Sequence, residues 1–327
     1  MPFASGRGIK FDVPLSQLAV SAFADPSNGT GLIGDMIFPA VPVERQSDVY
    51  YIIEKDAFLR DYGNQTYLRA PGAAAKKVEW TVSSNTFYAA NYALITEQAL
   101  EDQRNADRAV ALEANAIRLL TGQLRLAQEI RIASLITSIS NVGSGVALSG
   151  ADKFSDTVNS DPIAVVNTAH AFIQRQTGLT ANMAIMDFST YQTLRRHPVL
   201  LDMFKYTKGG QLNNEEIANA FSVEQILVGQ GVYNARREST SAAASMVNIW
   251  GNNLVIARVD ANAVGLQTAT LGLRMQWTPE FYPANFGVQR SVEAAAGQRK
   301  VEIFEAGHYQ DEKVVARDFA YAITGTL

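Results

Sequence analysis

The chain has 327 residues, of which 47% are hydrophobic and 18% are charged, a composition typical of a folded globular protein with one large domain or two. It contains no cysteine, which excludes disulfides, thiolate metal sites and cysteine nucleophiles. A formal net charge of −4 argues against tight, sequence-independent binding to nucleic acid, and no run of about eighteen apolar residues predicts a membrane span. The first residues lack the pattern of a secretory signal, so we expect no export by that route.

Residues 1–48 form a proline-rich segment with little hydrophobic periodicity. Five of the ten prolines of the chain lie there: Pro2, Pro14, Pro26, Pro39 and Pro42. Because proline interrupts helices, this composition predicts an extended arm. Long segments without regular structure are usually either disordered or laid across a neighbour, so we expect the arm to need another surface.

Residues 49–93 are predicted to form a long two-stranded hairpin. The run Tyr50–Ile53 is typical of a strand, and Pro71 and Gly72 mark a turn. Apolar residues then alternate with polar ones at Val78, Trp80 and Val82. An isolated two-stranded ribbon is marginally stable in water, so this hairpin should also need a partner surface.

A long helix, which we call the spine, is predicted from Ala106 to Ser138, with a possible start at Thr96 to Gln98. Such a helix would be roughly 50 Å long. The apolar arc predicted to be covered comprises Leu112, Ala116, Leu119, Leu120, Leu126, Ala127, Ile130 and Ala133, continued by Ile117, Leu124 and Leu135. The opposite stripe comprises Arg118, Gly122, Arg125 and Glu129.

Arg125 and Glu129 are spaced as an i, i+4 ion pair on that stripe. Two interpretations fit the stripe: a solvated helix face, or a surface that contacts a neighbouring chain.

The rest of the chain predicts an α+β fold. Ser160, Asp161 and Pro162 provide a cap and first turn for a helix to about Gln176, which Gly178 ends. Further helices are expected at 190–196, 198–204 and 214–221. Strands are expected at 182–186, 225–228, 253–259, 271–277, 286–292, 301–306 and 314–323.

No catalytic, cofactor or metal site is predicted. The pairs Gly143/Gly145 and Gly229/Gly231 lack the strand–turn–helix context of phosphate-binding loops. The remaining candidates lie in separate elements or match no ligand spacing, and are interpreted as structural or solubilising: His170, His197, His308, Asp152, Asp156 and Asp161.

The order of these parts resembles the major capsid protein family of tailed phages. The resemblance rests on the arm, the hairpin with Arg69-Ala70-Pro71-Gly72 at its tip, and the strand with Trp80. It continues with the long helix carrying Gln128-Glu129 and with the unit from Asp187-Phe188-Ser189 to His197-Pro198. That family has the Hong Kong 97-type shell fold, which encapsulins share.

The resemblance implies five segments. Residues 1–48 would be the N-terminal arm and 49–93 the extended loop. Residues 94–179 would be the peripheral domain with the spine, and 180–270 the axial domain that surrounds symmetry axes. Residues 271–327 would be C-terminal strands that return to the peripheral domain.

The function implied is that of a virion structural protein without enzymatic activity or cofactor. It would self-assemble through pentamers and hexamers into an icosahedral head, in the host cytoplasm, around double-stranded DNA that it contacts without sequence specificity. Portal and scaffolding proteins are implied partners, decoration proteins are further candidates, and no membrane is implied. Candidate intersubunit residues are Arg69, Pro71, Gly72, Lys76, Lys77, Trp80, Arg118, Arg125 and Glu129. The alternatives are an encapsulin-type nanocompartment shell protein and an α+β enzyme with an unrecognised site.

Overall fold

A computed structural model describes ten parts of the chain: residues 10–11, 31–53, 68–75, 82–99, 112–205, 210–236, 245–260, 270–279, 286–293 and 301–327. Most of the predicted arm and part of the predicted loop lie outside the described residues, as do Lys76, Lys77 and Trp80.

The described helices include those predicted from the capping pattern. They are α1 Gly34–Ile37, α2 Leu112–Ile136, α3 Pro162–Thr177, α4 Phe188–Leu194, α5 Pro198–Phe204 and α6 Asn214–Ala220. The Asp161 carboxylate accepts hydrogen bonds from the first-turn N–H groups of α3, and Gly178 ends this helix in the left-handed conformation, with φ of 73°. No described helix is both long enough and apolar enough to cross a membrane.

A six-stranded sheet is built around one long strand, β14. Its members are β1 Lys10–Phe11, β2 Ala40–Val43, β5 Ala90–Ala99, β12 Gly272–Trp277, β13 Gly287–Glu293 and β14 Val301–Val314. On one edge, β14 pairs with β5 over ten residues. On its other edge it pairs first with β13 and then with β12. The sequence predicted that β14 would end at Ala306, so the strand is longer than expected.

Strand β5 corrects a second expectation. Residues Thr96 to Gln98 were predicted as a helix start, but they continue β5, where Thr96 pairs with Phe304. Alternate residues of β5, including Tyr92 and Leu94, pack towards the spine helix. Ten residues of antiparallel pairing outweigh a local helix-start pattern, because tertiary contacts override weak propensities.

A five-stranded sheet forms the second layer, in the order β6-β15-β11-β7-β8. Its strands are β6 Ser144–Ala147, β7 Met183–Asp187, β8 Gln225–Gly229, β11 Asn253–Ala257 and β15 Ala320–Thr324. One face packs against α3 to α6, and the other contacts α1 and the C-terminal half of α2. The predicted strand 314–323 is divided, because β14 ends at Val314 and β15 joins the other sheet. The division into five segments remains a prediction.

Of the predicted hairpin, the structure describes the base and the turn, whereas Val78 and Trp80 of the predicted second strand lie outside the described residues. Strands β3 Ser47–Ile53 and β4 Val82–Tyr88 pair antiparallel, from Ser47 opposite Tyr88 to Ile53 opposite Val82. At the tip, the Ala73 N–H donates to the Ala70 carbonyl at 3.0 Å, and Gly72 has a φ of 81°. This is the geometry of a turn that favours glycine at its third position. A second ribbon joins β9 Val232–Asn234 to β10 Met246–Asn248.

The spine helix, α2, has 25 described residues and is therefore about 37 Å long. Residues 106–111 of the predicted helix lie outside the described residues. Its buried face is rotated from the predicted one: Leu119 is 58% exposed, whereas Arg125 and Glu129 are buried. Arg118 and Gly122 are exposed, as predicted. A helical wheel ranks faces by hydrophobicity, so it misplaces polar residues that have buried partners.

Candidate functional site

The buried face of α2 is apolar at both ends and polar in the middle. Ile117, Leu120 and Leu124 pack under the six-stranded sheet, whereas Ile132 and Ile136 pack under the five-stranded sheet. Between these clusters lie Arg125, Gln128 and Glu129, which hold the chain segment around α1. We call this polar group, with Asp35, Trp250 and Arg274, the arm clamp.

Glu129 is the acceptor at the centre of the arm clamp. Its carboxylate accepts hydrogen bonds from the backbone N–H of Ile33 at 2.9 Å, from that of Gly34 at 2.6 Å and from Trp250 Nε1 at 2.8 Å. Burial raises the pKa of this carboxyl, and the three donors oppose that shift. Because α1 has no cap from its own side chains, Glu129 satisfies its first N–H groups from another element.

Asp35 makes the second anchor. Its carboxylate accepts hydrogen bonds from Gln128 Nε2 at 2.6 Å, from Arg125 Nη2 at 3.4 Å and from Arg274 Nη1. Arg125 and Arg274 are both buried. The positive charges of these two guanidinium groups therefore lie next to the negative charge of Asp35. Such pairing is needed because an unpaired buried charge is strongly destabilising. The clamp ties α1 both to the spine and to strand β12.

At two positions beside the arm clamp, only glycine fits. A Cβ atom on Gly34 would lie 2.6 Å from Glu129 Oε2, and a Cβ atom on Gly229 would lie 2.0 Å from Cδ1 of Trp250. Both distances are shorter than real carbon contacts allow. Gly34 lets the backbone reach the carboxylate, and Gly229 makes space for the indole that donates to it.

The polar network continues into the six-stranded sheet. Arg131 makes a two-pronged contact with Glu312, with a shortest distance of 2.7 Å, and its guanidinium lies 3.8 Å from the centre of the Tyr92 ring. The His308 ring lies between Tyr92 and Phe286, with centroid distances of 5.8 and 5.7 Å. Burial, together with the positive charges of nearby arginines, lowers the pKa of His308 to about 3. His308 is therefore neutral at physiological pH.

The hydrogen bonds and ion pairs of this arrangement hold separate parts of the chain together. The described residues contain no group of three or more potential metal ligands. Ser160 Oγ lies 2.9 Å from His197 Nε2, which is the spacing of a nucleophile and its base. Both residues are buried, however, and the Ser160 hydroxyl donates its one proton to the Asp156 carbonyl. We interpret this pair as structural.

The predicted site residues fall into four groups. Arg69, Pro71 and Gly72 lie together at the exposed hairpin tip, where Arg69 Nε donates to the Ala73 carbonyl. Arg118 is exposed on the outer face of α2. Lys76, Lys77 and Trp80 lie outside the described residues.

The fourth group, Arg125 and Glu129, corrects the sequence-based interpretation. Arg125 is 7% exposed in the subunit and Glu129 is 2% exposed. Side chains buried to this extent fit neither a solvated helix face nor a surface that contacts a neighbouring chain. Each has its own partner, Asp35 and the N–H groups at 33 and 34. The partners Asp35, Trp250 and Arg274 were missed, because no local pattern connects residues so far apart in sequence.

Several large apolar side chains are exposed on the described surface. They include Leu68, Tyr88, Ile95, Leu119, Val158 and Met246. Leu68 and Val158, which are 79% and 87% exposed, lie in loops with defined turns. Single exposed apolar residues are normal on protein surfaces, and only a contiguous patch of them marks an interaction site.

Known proteins resemble this chain over nearly its whole length. No protein-family model matches it. The major capsid protein of Burkholderia phage BcepMu is 25% identical over 296 residues, which covers 90% of this chain and 91% of that protein. The crystal structure of a phage-related protein from Bordetella bronchiseptica RB50 has a TM-score of 0.73 at 20% identity, covering 98% of this chain and 99% of that one.

The mature capsid of bacteriophage PhiM1 matches with a TM-score of 0.53 at 12% identity, covering 89% of this chain and 86% of that one. At these identities the solved structures establish the shared fold, and the sequence relative shows a similarity that extends along most of the chain. A long spine, an extended hairpin and two packed sheets are accordingly found together here. The chain is therefore similar to phage major capsid proteins over nearly its whole length and has the Hong Kong 97-type shell fold.

Proposed function

We propose that many copies of this protein assemble into the shell of a phage head. The observation that carries the proposal is the match to a phage major capsid protein over 90% of the chain. A match over 296 residues is far longer than a single motif, so it extends across most of the chain. The encapsulin and enzyme alternatives have no comparable support.

In this proposal the shell is icosahedral and is built from pentamers and hexamers. Residues 180–270, which include the ribbon β9–β10, would surround the symmetry axes. The shell would enclose double-stranded DNA, with portal and scaffolding proteins as further partners, decoration proteins as additional candidates, and assembly in the host cytoplasm. The net charge of −4 suits a container that does not grip the DNA backbone tightly. No catalytic role is proposed.

The hairpin supplies a physical reason for association. A two-stranded ribbon is marginal alone, and the described tip residues, from Leu68 to Ala75, are all exposed in the subunit. Contacts between chains bury apolar surface, and this burial stabilises the elements that take part in it. The hairpin would therefore be more stable in a shell than in a monomer. Arg69, Pro71 and Gly72 are therefore proposed to work between subunits, as are Lys76, Lys77 and Trp80.

The experiment is to express the chain without other phage proteins and to measure its size by sedimentation and its shape by negative-stain microscopy. We expect pentamers, hexamers or closed shells. A single stable species at the 35.6 kDa monomer mass, at micromolar concentration and physiological salt, would contradict the proposal. If assembly requires a scaffolding protein, coexpression with that protein should restore shells. Failure to form shells on coexpression would also contradict the proposed shell function.

A further inference from the structure

Strand β12 carries, at two adjacent positions, a side chain of the arm clamp and a side chain under the hairpin. Arg274 is buried and donates to the Asp35 carboxylate. Met275 is fully buried and packs with Tyr50 and Phe87, which belong to the base of the hairpin. Successive side chains of a strand point to opposite faces, so these two residues connect the two faces of the sheet at one place.

The segment between the arm clamp and the hairpin is bonded to the same strand. We call residues 35–43 the strap. The Arg274 N–H donates to the Pro39 carbonyl at 3.0 Å, and from Ala40 onwards the strap is β2, which pairs in parallel with β12. Residues 44–46 alone separate the end of β2 from the start of β3. A displacement of the strap or of β12 would therefore be passed to the hairpin.

The base of the hairpin is fixed to the sheet by hydrogen bonds as well as by packing. The Tyr88 N–H donates to Asp311 Oδ2 at 2.9 Å, and the Ala89 N–H donates to the Gln46 carbonyl at 2.8 Å. Strand β3 has seven residues. It is thus about 20 Å long, and a rotation of about 10° at its base would move its far end by about 3–4 Å. Interfaces between chains are packed as densely as protein interiors, so a shift of this size would disrupt a contact.

The charge of Asp35 holds the strap and β12 in their present positions. One carboxylate oxygen accepts from Arg125 of the spine, and the other accepts from Arg274 of β12. Loss of the negative charge would weaken both hydrogen bonds and would leave two like charges close together in a buried site. The resulting repulsion would act on β12 at the residue next to Met275.

We propose that Asp35 is a positioning residue for assembly: its ion pairs with Arg125 and Arg274 set, through Met275, the angle at which the hairpin leaves the subunit. The inference rests on the proposed shell function, in which the hairpin works between subunits. A subunit whose arm clamp is open would then present its hairpin in the wrong direction.

The first test is hydrogen exchange of unassembled subunits of Asp35→Asn. Exchange of the Tyr88 and Ala89 amides should become about tenfold faster or more, because the base of the hairpin opens locally. Asp35→Glu keeps the charge and should restore most of the protection. Glu44→Gln, at an exposed position in the same part of the chain, is the matched control for the loss of one negative charge and should leave this exchange unchanged.

The second test separates positioning from stability by two substitutions in β12. Met275→Ala removes the contact under the hairpin and leaves the arm clamp in place, so it should speed exchange at the hairpin base. Leu273→Ala is the matched control, because Leu273 is equally buried on the same face of the strand but packs with Val41 instead of the hairpin. It should lower the melting temperature and leave exchange at the hairpin base unchanged, since amides that open locally do not follow global stability.

Particle yield relates these effects to assembly. At temperatures well below their melting points, Asp35→Asn and Met275→Ala should give several-fold fewer particles than the wild type. Leu273→Ala should assemble with the wild-type yield. Wild-type yields from Asp35→Asn and Met275→Ala would show that the position of the hairpin base does not govern assembly.

The outcomes separate this inference from the proposed function. If Asp35→Asn leaves exchange at the hairpin base unchanged, or if Leu273→Ala speeds it as much as Met275→Ala does, the inference is wrong and the shell function stands. If wild-type protein forms no particles under any condition, the shell function fails, and the exchange data still decide whether Asp35 sets the hairpin.

A further variant covers the case in which Asp35→Asn gives no soluble subunits. Arg274→Met leaves Asp35 with its contacts to Arg125 and Gln128, so no charge is left alone at this site and the chain should fold. It removes the link between the arm clamp and β12, so exchange at the hairpin base should again become faster. Unchanged exchange in this variant would overturn the inference.

Discussion

Glu129 Oε2 accepts a hydrogen bond of 2.6 Å from the backbone N–H of Gly34, a residue 95 positions earlier in the chain. The same carboxylate also accepts from Ile33 and Trp250. One side chain therefore joins the segment of α1, the spine and the loop before β11. The relative positions of these three parts are fixed by the three N–H donors, which all point at the buried Glu129 carboxylate.

Replacing Glu129 with glutamine should destabilise the subunit. The amide has nearly the shape of the carboxylate, but its NH₂ group would face one of three N–H donors, which would leave that donor unsatisfied. We expect a loss of about 2–4 kcal/mol in the free energy of unfolding. Urea unfolding of unassembled subunits measures it. Glu215→Gln, in the exposed first turn of α6, is the matched control and should change stability by less than about 0.5 kcal/mol.

Replacing Arg125 with glutamate should impair folding as well as assembly. The new carboxylate would lie near Asp35, which Arg125 now contacts at 3.4 Å, and one helical turn from Glu129. Three acidic groups in a buried site should cost about 3–5 kcal/mol. We expect a large fall in melting temperature and little soluble protein. Normal melting with reduced particle yield would instead favour an assembly role for Arg125.

His308 should make the subunit less stable in acid. Its pKa is about 3 in the folded chain and 6.5 when unfolded. Between these values the unfolded chain binds a proton that the folded chain does not, so stability falls as pH decreases, by up to about 1.4 kcal/mol per pH unit. Above pH 6.5 this histidine should contribute no pH dependence.

The control is His308→Phe, which keeps an aromatic ring between Tyr92 and Phe286 without a titrating group. Urea midpoints of both proteins between about pH 4 and 7 give the comparison. The wild type should lose stability relative to the variant as the pH falls. Parallel curves would show that His308 is not the source. Glu129 acts in the opposite direction, because its raised folded pKa gives stability that is lost as pH rises through that value, and it is present in both proteins.

Replacing residues 70–77 with a short Gly-Ser turn tests the hairpin tip. The described tip residues are exposed, so the free energy of unfolding of the subunit should change by less than about 1 kcal/mol. Shells should fail to form or should fall apart, and sedimentation with microscopy reports this. Assembly with wild-type yield and thermal stability would show that the tip has no intersubunit role.

Local sequence signals predicted much of the fold. Asp161, Pro162 and Gly178 mark the ends of α3 because caps and the left-handed glycine act within one turn. The apolar run around Met183 to Met186 predicted β7, which is buried along its whole length. Signals of this kind depend only on residues that are close in sequence, so they can be recognised without knowledge of the tertiary structure.

The arm clamp could not be predicted in this way. Arg125 and Glu129 have the i, i+4 spacing of a surface pair, and the same spacing suits two residues that share a buried face. Their burial depends on Asp35, Trp250 and Arg274, whose positions are set by packing of two sheets against one helix. The exposure of Leu119 follows from the same rotation of the helix.

The subunit should resist a pulling force best along the axis of strand β14. Its hydrogen bonds to β5, β13 and β12 lie across the strand, so a pull along Val301–Val314 is shared by all of them at once. The described part of the ribbon β3–β4 has seven residue pairs, and a pull that separates its two strands breaks these pairs one at a time. A load on such a subunit would therefore separate the strands of the ribbon before it deforms the six-stranded sheet.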